Sequence, residues 1–261
     1  MSQHPVQKSH RTPGRAAGSN PDIRFDQITS EAVDDGWARD EEPPVLRTQV
    51  TEEHARTVIS RNTSPELSFD RSINPYRGCE HGGSYCLARP SHAYLGLSPG
   101  LDFETKLIAR PNAAQKLRDE LSNPRYKPAM IGIGTNTDPY QPIEKQRKIM
   151  RDILKVLRDF NHPVGIVTKG TLIERDIDIL GEMAAKGLTR VGISITTLDP
   201  KTSRAMEPRV PMPAARLRTI RRLTDAGIPV RVMVSPVVPA LTDHELETIL
   251  QAAADAGAVA A

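Results

Sequence analysis

The chain is poor in the residues that stabilise secreted and membrane proteins. Its 261 residues include two cysteines, one tryptophan and four phenylalanines. Two cysteines make no disulfide framework, which excludes a small stapled extracellular scaffold. No run of about 18 apolar residues occurs, so there is no membrane-span signal. The opening MSQHPVQKSHRTPGRAAGSNPD has no apolar h-region and is not a signal peptide, and a cytoplasmic location with reduced thiols is expected. Glycine-rich dinucleotide and phosphate-loop fingerprints are also missing: GIGTNT has the wrong glycine spacing and runs into a proline-containing loop. The net charge of +3 is too small to argue for a nucleic-acid partner.

What is present begins with a biased leader. Residues 1 to about 25 are rich in Pro, Gly, Ser and basic residues and read as a solvated arm. From Glu31 to Glu53 the sign reverses, with acids around the lone Trp37. Residues 1–60 are therefore expected to be a largely disordered or irregular leader, and 61–261 the folded domain.

After Ala129 the pattern becomes regular. The apolar runs AMIGIG, PVGIVTKG, TRVGISITTLDP and IPVRVMVSPVVP read as strands, and GAVAA as the start of another. Helical stretches lie between them. Ile149, Ile153, Val156, Leu157 and Phe160 share one helical face, and Leu217, Ile220 and Leu223 another. Thr171 with Glu174, and Thr242 with Glu245, have capping-box spacing, while Gly187 and Gly227 read as helix stops. A βα unit recurring about every 30 residues predicts a parallel α/β fold with strands buried on both faces.

In such folds chemistry gathers at the C-terminal ends of the strands. Those ends carry Thr135, Thr137, Asp138, Lys169, Ser194, Thr196, Thr197, Asp199 and Ser235. Lys169 stands where a ligand carboxylate or phosphate would dock. Thr196, Asp199 and Thr242 have an ordinary alternative as loop or cap residues. Arg216, Arg218, Arg221 and Arg222 read as the solvent face of their helix.

Both cysteines fall in NPYRGCEHGGSYCLARP, residues 74–90. Together with YLGLSPGLDFETK, GTNTDPYQPIE, VTKG, SITTLDP and MEPR, this segment resembles the radical S-adenosylmethionine superfamily, in a bacterial branch related to spore photoproduct lyase. The resemblance runs from about Asn62 to the end of the chain. It implies a partial (β/α)6 TIM-type barrel, here stopping at the sixth strand. It also implies a [4Fe–4S] cluster held by a Cys-x3-Cys-x2-Cys loop and S-adenosylmethionine on the open iron. A cytoplasmic electron donor would drive reductive cleavage of that cofactor to begin radical chemistry on an unknown substrate.

Carried over residue by residue, Cys79 and Cys86 are the first and third metal ligands. Tyr85 lies against the adenine, and Thr137, Lys169 and Ser194 contact S-adenosylmethionine, with Lys169 on its carboxylate. The middle ligand falls on Gly83, which has no side chain to offer. Three expectations follow. The first is a cluster-dependent enzyme, lyase-like by family. The second is an inactive relative, a pseudoenzyme or binding protein, that cannot hold a normal cluster. The third is a zinc site from Cys79, His81 and Cys86. A nucleic-acid partner rests on kinship alone, and no membrane partner is implied.

Overall fold

The computed structural model describes residues 14–23, 25 and 46–261. The acidic stretch around Trp37 lies outside the described residues. The strands are β1 (Gln49–Glu52), β2 (Ile59–Arg61), β3 (Arg71–Ile73), β4 (Tyr76–Arg77), β5 (Lys106–Ala109), β6 (Ile131–Ile133), β7 (Val164–Thr168), β8 (Thr189–Ser194) and β9 (Val230–Met233). Six of them form one sheet in the order β2-β3-β6-β7-β8-β9. Only the β2–β3 pair is antiparallel. This is a partial, unclosed (β/α) barrel, as the resemblance implied. A smaller sheet, β1-β5-β4, flanks it.

Helices Ala113–Leu121, Ile149–Asp159, Ile177–Ala184, Pro213–Asp225 and Leu246–Asp255 accompany the strands. Alternation decides which strand side chains they cover. Ile131, Ile133, Val164, Ile166, Val191, Ile193, Val230 and Val232 join Ile153, Leu154, Leu180, Ile220, Leu223 and Ile249 in one buried cluster. Each such side chain contributes roughly 1.5–3 kcal/mol by leaving water. The helix stops are as expected, with Gly187 at φ +68° and Gly227 at φ +74°. The terminal GAVAA begins to pair beside β9, where Val232 N–H donates to the Ala260 carbonyl at 3.0 Å.

Three features depart from the sequence reading. The strands are not buried on both faces. The residues that alternate with the core positions are small, half-buried or, at Arg190 and Arg231, exposed, so the inner face is partly open. Neither capping box forms. The Glu174 carboxylate accepts from the Thr219 hydroxyl at 2.5 Å and from Arg222, and the Glu245 carboxylate accepts from the Thr197 hydroxyl and the Leu198 N–H, both at 2.6 Å. A carboxylate at the right spacing from a cap residue is equally available to a neighbouring element.

The third departure concerns residues 14–23, which are irregular but docked. Ala16 and Ala17 N–H groups donate to the Glu104 carboxylate at 3.1 and 3.0 Å, and Asn20 exchanges two hydrogen bonds with Asp102. Gly100 marks how close the approach is: a Cβ there would lie 2.1 Å from the Ser19 carbonyl oxygen.

Candidate functional site

The loop from Gly78 to Cys86 leaves β4 and crosses the C-terminal ends of the main strands. Gly78 holds φ +75°, and a Cβ there would come within 2.7 to 2.9 Å of Leu107, His92 and the Phe103 carbonyl. Only glycine fits this entry to the loop. Cys79 N–H then donates to the Phe103 carbonyl at 2.9 Å. From one side Gln141 clasps the loop, accepting from Glu80 N–H at 2.9 Å and donating to the Gly78 carbonyl at 3.2 Å. From the other side Arg89 donates twice to the Gly83 carbonyl, at 3.0 and 3.1 Å, and pairs with buried Glu104 at 2.6 Å. Glu104 thus ties the loop to the docked residues 14–23.

The strand-end groups are engaged mostly with the protein itself. Asp138 accepts from the Thr168 hydroxyl at 2.6 Å, Lys169 N–H at 2.7 Å and Tyr140 N–H at 2.9 Å. Its carboxylate also lies 3.2 Å from His81 Nδ1. Burial opposes charge on both partners, but their mutual attraction outweighs it. His81 is raised to about 10, helped by contact with Cys79, and Asp138 falls below the usual carboxylate range. The Thr137 hydroxyl donates to the Tyr76 carbonyl at 2.9 Å. Asp199 caps the helix Pro200–Met206, accepting from Thr202 N–H at 2.6 Å. Thr135 and Ser235 are exposed.

Tyr85 leads to the centre of the mouth. Its hydroxyl donates to Glu207, which is ion-paired with Arg216, and both members of that pair are fully buried. Arg216 also donates to the Ser194 carbonyl at 2.9 Å and the Pro211 carbonyl at 2.7 Å. Arg216 is therefore not on the solvent face of its helix. It is the inward arginine that neutralises Glu207 and ties helix Pro213–Asp225 to the end of β8. Burial, and then the Glu207 charge, push the Tyr85 phenol well up. The Lys169 ammonium stands 5.7 Å from the centre of the Tyr85 ring. Tyr85, Lys169 and Ser194 thus come together, while Thr137 props β4. Sequence reasoning missed Gln141, Glu104, Arg89 and Arg216. Glu207 lies in the MEPR segment.

The donor set does not fit an iron–sulfur cluster. Such clusters are held by soft thiolates, and this loop supplies two, with Gly83 at the middle position. Space is not the obstacle, because a Cβ at Gly83 would meet nothing nearer than the Cys86 Cβ at 3.8 Å. Among the described residues no group of three or more His, Cys, Asp or Glu is arranged to hold a metal ion. The expected [4Fe–4S] cluster on Cys79 and Cys86 is therefore corrected, together with S-adenosylmethionine on its iron, the electron donor and cluster-dependent cleavage. Zinc on Cys79, His81 and Cys86 is corrected by the same finding, and His81 is already committed to Asp138. Burial also pushes the Cys86 thiol up, away from the thiolate that a metal requires. No helix among the described residues is long and apolar enough to cross a membrane.

Comparison with known proteins agrees with the geometry of the fold. The profile of the Radical SAM superfamily matches residues 73–253. An uncharacterized protein of Mycobacterium tuberculosis is 41% identical over 194 residues, covering 74% of this chain and 57% of the relative. One from Methanocaldococcus jannaschii is 29% identical over 173 residues, covering 66% of this chain and 62% of that protein. The chain thus spans less than two thirds of the length of these relatives. Among solved structures, spore photoproduct lyase variants superpose with a TM-score of 0.60 at 16% identity, over 79% of this chain and 57% of theirs. At that identity the likeness concerns the fold.

Proposed function

The chain belongs to the radical SAM superfamily, and from that premise we propose that it is a binding protein built on the family's barrel, without the family's cluster chemistry. The observation that carries this reading is the Cys79–Cys86 loop, which Gln141 and Arg89 brace and which offers two thiols around Gly83. Support comes from the mouth, where Asp138, Thr137 and Glu207 hydrogen-bond within the chain and His81 lies in ion-pairing distance of Asp138. A fold can keep its packing after its chemistry has gone, because the two depend on different residues.

In this reading Tyr85, Lys169 and Ser194 remain as the ligand-facing groups of the mouth, and Thr137 serves the scaffold. Residues 61–261 make up most of the binding unit, and β1 and β2 join the end of the leader to the same two sheets. The protein works in the cytoplasm, where two unpaired cysteines stay reduced. A nucleic acid is a partner by kinship only, through a lyase solved with a dinucleoside photoproduct.

Anaerobic reconstitution with iron and sulfide tests the reading. The wild-type chain is expected to retain background iron after desalting, without the visible absorbance of a thiolate-ligated cluster. It is also expected to release no 5′-deoxyadenosine from S-adenosylmethionine under reduction. Gly83→Cys, which the open space around residue 83 accommodates, should keep the wild-type melting temperature and gain iron. Stoichiometric cluster and 5′-deoxyadenosine from the wild-type chain would overturn the proposal.

A further inference from the structure

At the opposite end of the strands from the cysteine loop, the inner face of the sheet holds charge that no partner neutralises. Parallel pairing sets Gly165 beside Arg190, Val167 beside Gly192, and Gly192 beside Arg231. The direction of this face is fixed by its contacts. A Cβ on Gly192 would meet Met233 at 3.1 Å, Val167 at 3.3 Å and the Arg231 Cγ at 3.6 Å. Arg190 lies two residues before Gly192 and shares its side of the strand. Strand spacing and rise put the Arg190 and Arg231 Cα atoms on the order of 8 Å apart. Both side chains are exposed, and neither has an ion pair, hydrogen bond or aromatic contact among the described residues.

The neighbouring strands complete a concavity. A Cβ on Gly132 would strike the Phe69 ring at 2.8 Å, and one on Gly165 would touch the Met130 sulfur at 3.5 Å. Phe69 and Met130 therefore lie on the same inner face as the arginines. They also line a groove of about 420 Å³, with Leu67 as its exposed apolar wall and Asn62, Thr63, Ser64 and Ser68 as polar ones; Asp70 is part of the lining too, with its charge held by Arg71 and Arg61. The groove is within the size range of small-ligand sites, roughly 300–1,000 Å³. A groove whose apolar side chains, Phe69, Met130 and Leu67, stand on the same face as two unpaired guanidinium groups is complementary to a molecule with an apolar body and an anionic end. Guanidinium forks match phosphate oxygens in particular.

We propose that this N-terminal end of the inner face binds a phosphorylated small molecule, with its body in the Phe69–Met130 groove and its phosphate on Arg190 and Arg231. The proposal gives a ligand class to the binding protein inferred above, but stands on residues remote from the cysteine loop. Its test involves no iron, so either idea can fail without the other.

Titration calorimetry of the full chain at low salt, with phenyl phosphate and inorganic phosphate as probes, examines the site. Phenyl phosphate should bind saturably and more tightly than inorganic phosphate. Arg190→Gln and Arg231→Gln should each weaken it by roughly tenfold, and the double variant should abolish it. Arg218→Gln, an exposed arginine on an outer helix, should change nothing and controls for overall charge. Oligothymidylate in a further arm separates the sources of phosphate. Binding tighter than that of phenyl phosphate, with the same dependence on Arg190 and Arg231, would support the phosphate site and assign it to a strand. Absence of saturable phenyl phosphate binding at millimolar concentration would overturn the proposal, as would wild-type affinity in the double variant or equal weakening by Arg218→Gln.

Discussion

The two ends of one sheet treat charge in opposite ways. At the C-terminal ends of the strands, Asp138 faces His81, Glu207 faces Arg216, and Glu104 gathers Arg89 with two backbone N–H groups. Toward the N-terminal end, Arg190 and Arg231 share the inner face, and neither has an ion-pair partner among the described residues. The mouth, where the fold class leads one to look for chemistry, has its carboxylates closed into structural pairs and keeps Lys169 over the Tyr85 ring. The far end keeps its charge available. Charged residues at a strand end are therefore insufficient grounds for a site, because what matters is whether their valence is already satisfied.

The comparison breaks most visibly at Glu207. Glu207→Ala leaves Arg216 charged and buried without its partner and strips the Tyr85 hydroxyl of its acceptor. A loss of about 3–5 kcal/mol is expected, read as a fall in the urea midpoint. An unchanged midpoint would mean that the Glu207–Arg216 pair does not hold the mouth together.

A smaller effect is expected at Glu104. Glu104→Ala frees Ala16 and Ala17 N–H groups and the Arg89 guanidinium, for a cost of about 1–3 kcal/mol. Residues 14–23 should then exchange amide hydrogens and admit protease faster than in wild type. Equal protection in the variant would show that these residues are held by something else.

The smallest effect belongs to the far end. Arg190→Gln with Arg231→Gln should leave stability within about 0.5 kcal/mol of wild type, as for surface positions without partners. A larger loss by denaturation would reveal a structural role and remove the contrast between the two ends.

The fold was legible because periodicity reports which face of an element meets the core. The spacing of Ile149, Ile153, Val156 and Leu157 marks a helix whatever surrounds it. The glycines at 187 and 227 likewise act locally. Partnerships between remote elements leave no such mark. Arg216 looks like its neighbours Arg218, Arg221 and Arg222, and only the fold brings Glu207 and the Ser194 carbonyl to it. Glu174 and Glu245 had capping spacing but were drawn to other elements. The TNTDPYQPIE stretch was rightly placed at a strand end. Its Gln141 and Glu144 serve as supports, with Glu144 accepting from the Tyr76 hydroxyl at 2.5 Å and pairing with Arg175 at 2.7 Å.

The contact between Gly100 and the Ser19 carbonyl makes two distant stretches of chain answerable to each other. Because a Cβ at residue 100 would lie 2.1 Å from that oxygen, there is no room for a side chain while residues 14–23 keep their course. A homologue that carries any other residue there must route its N-terminal segment differently. A single position in the body of the domain can thus serve as a sequence marker for how the leader is laid down.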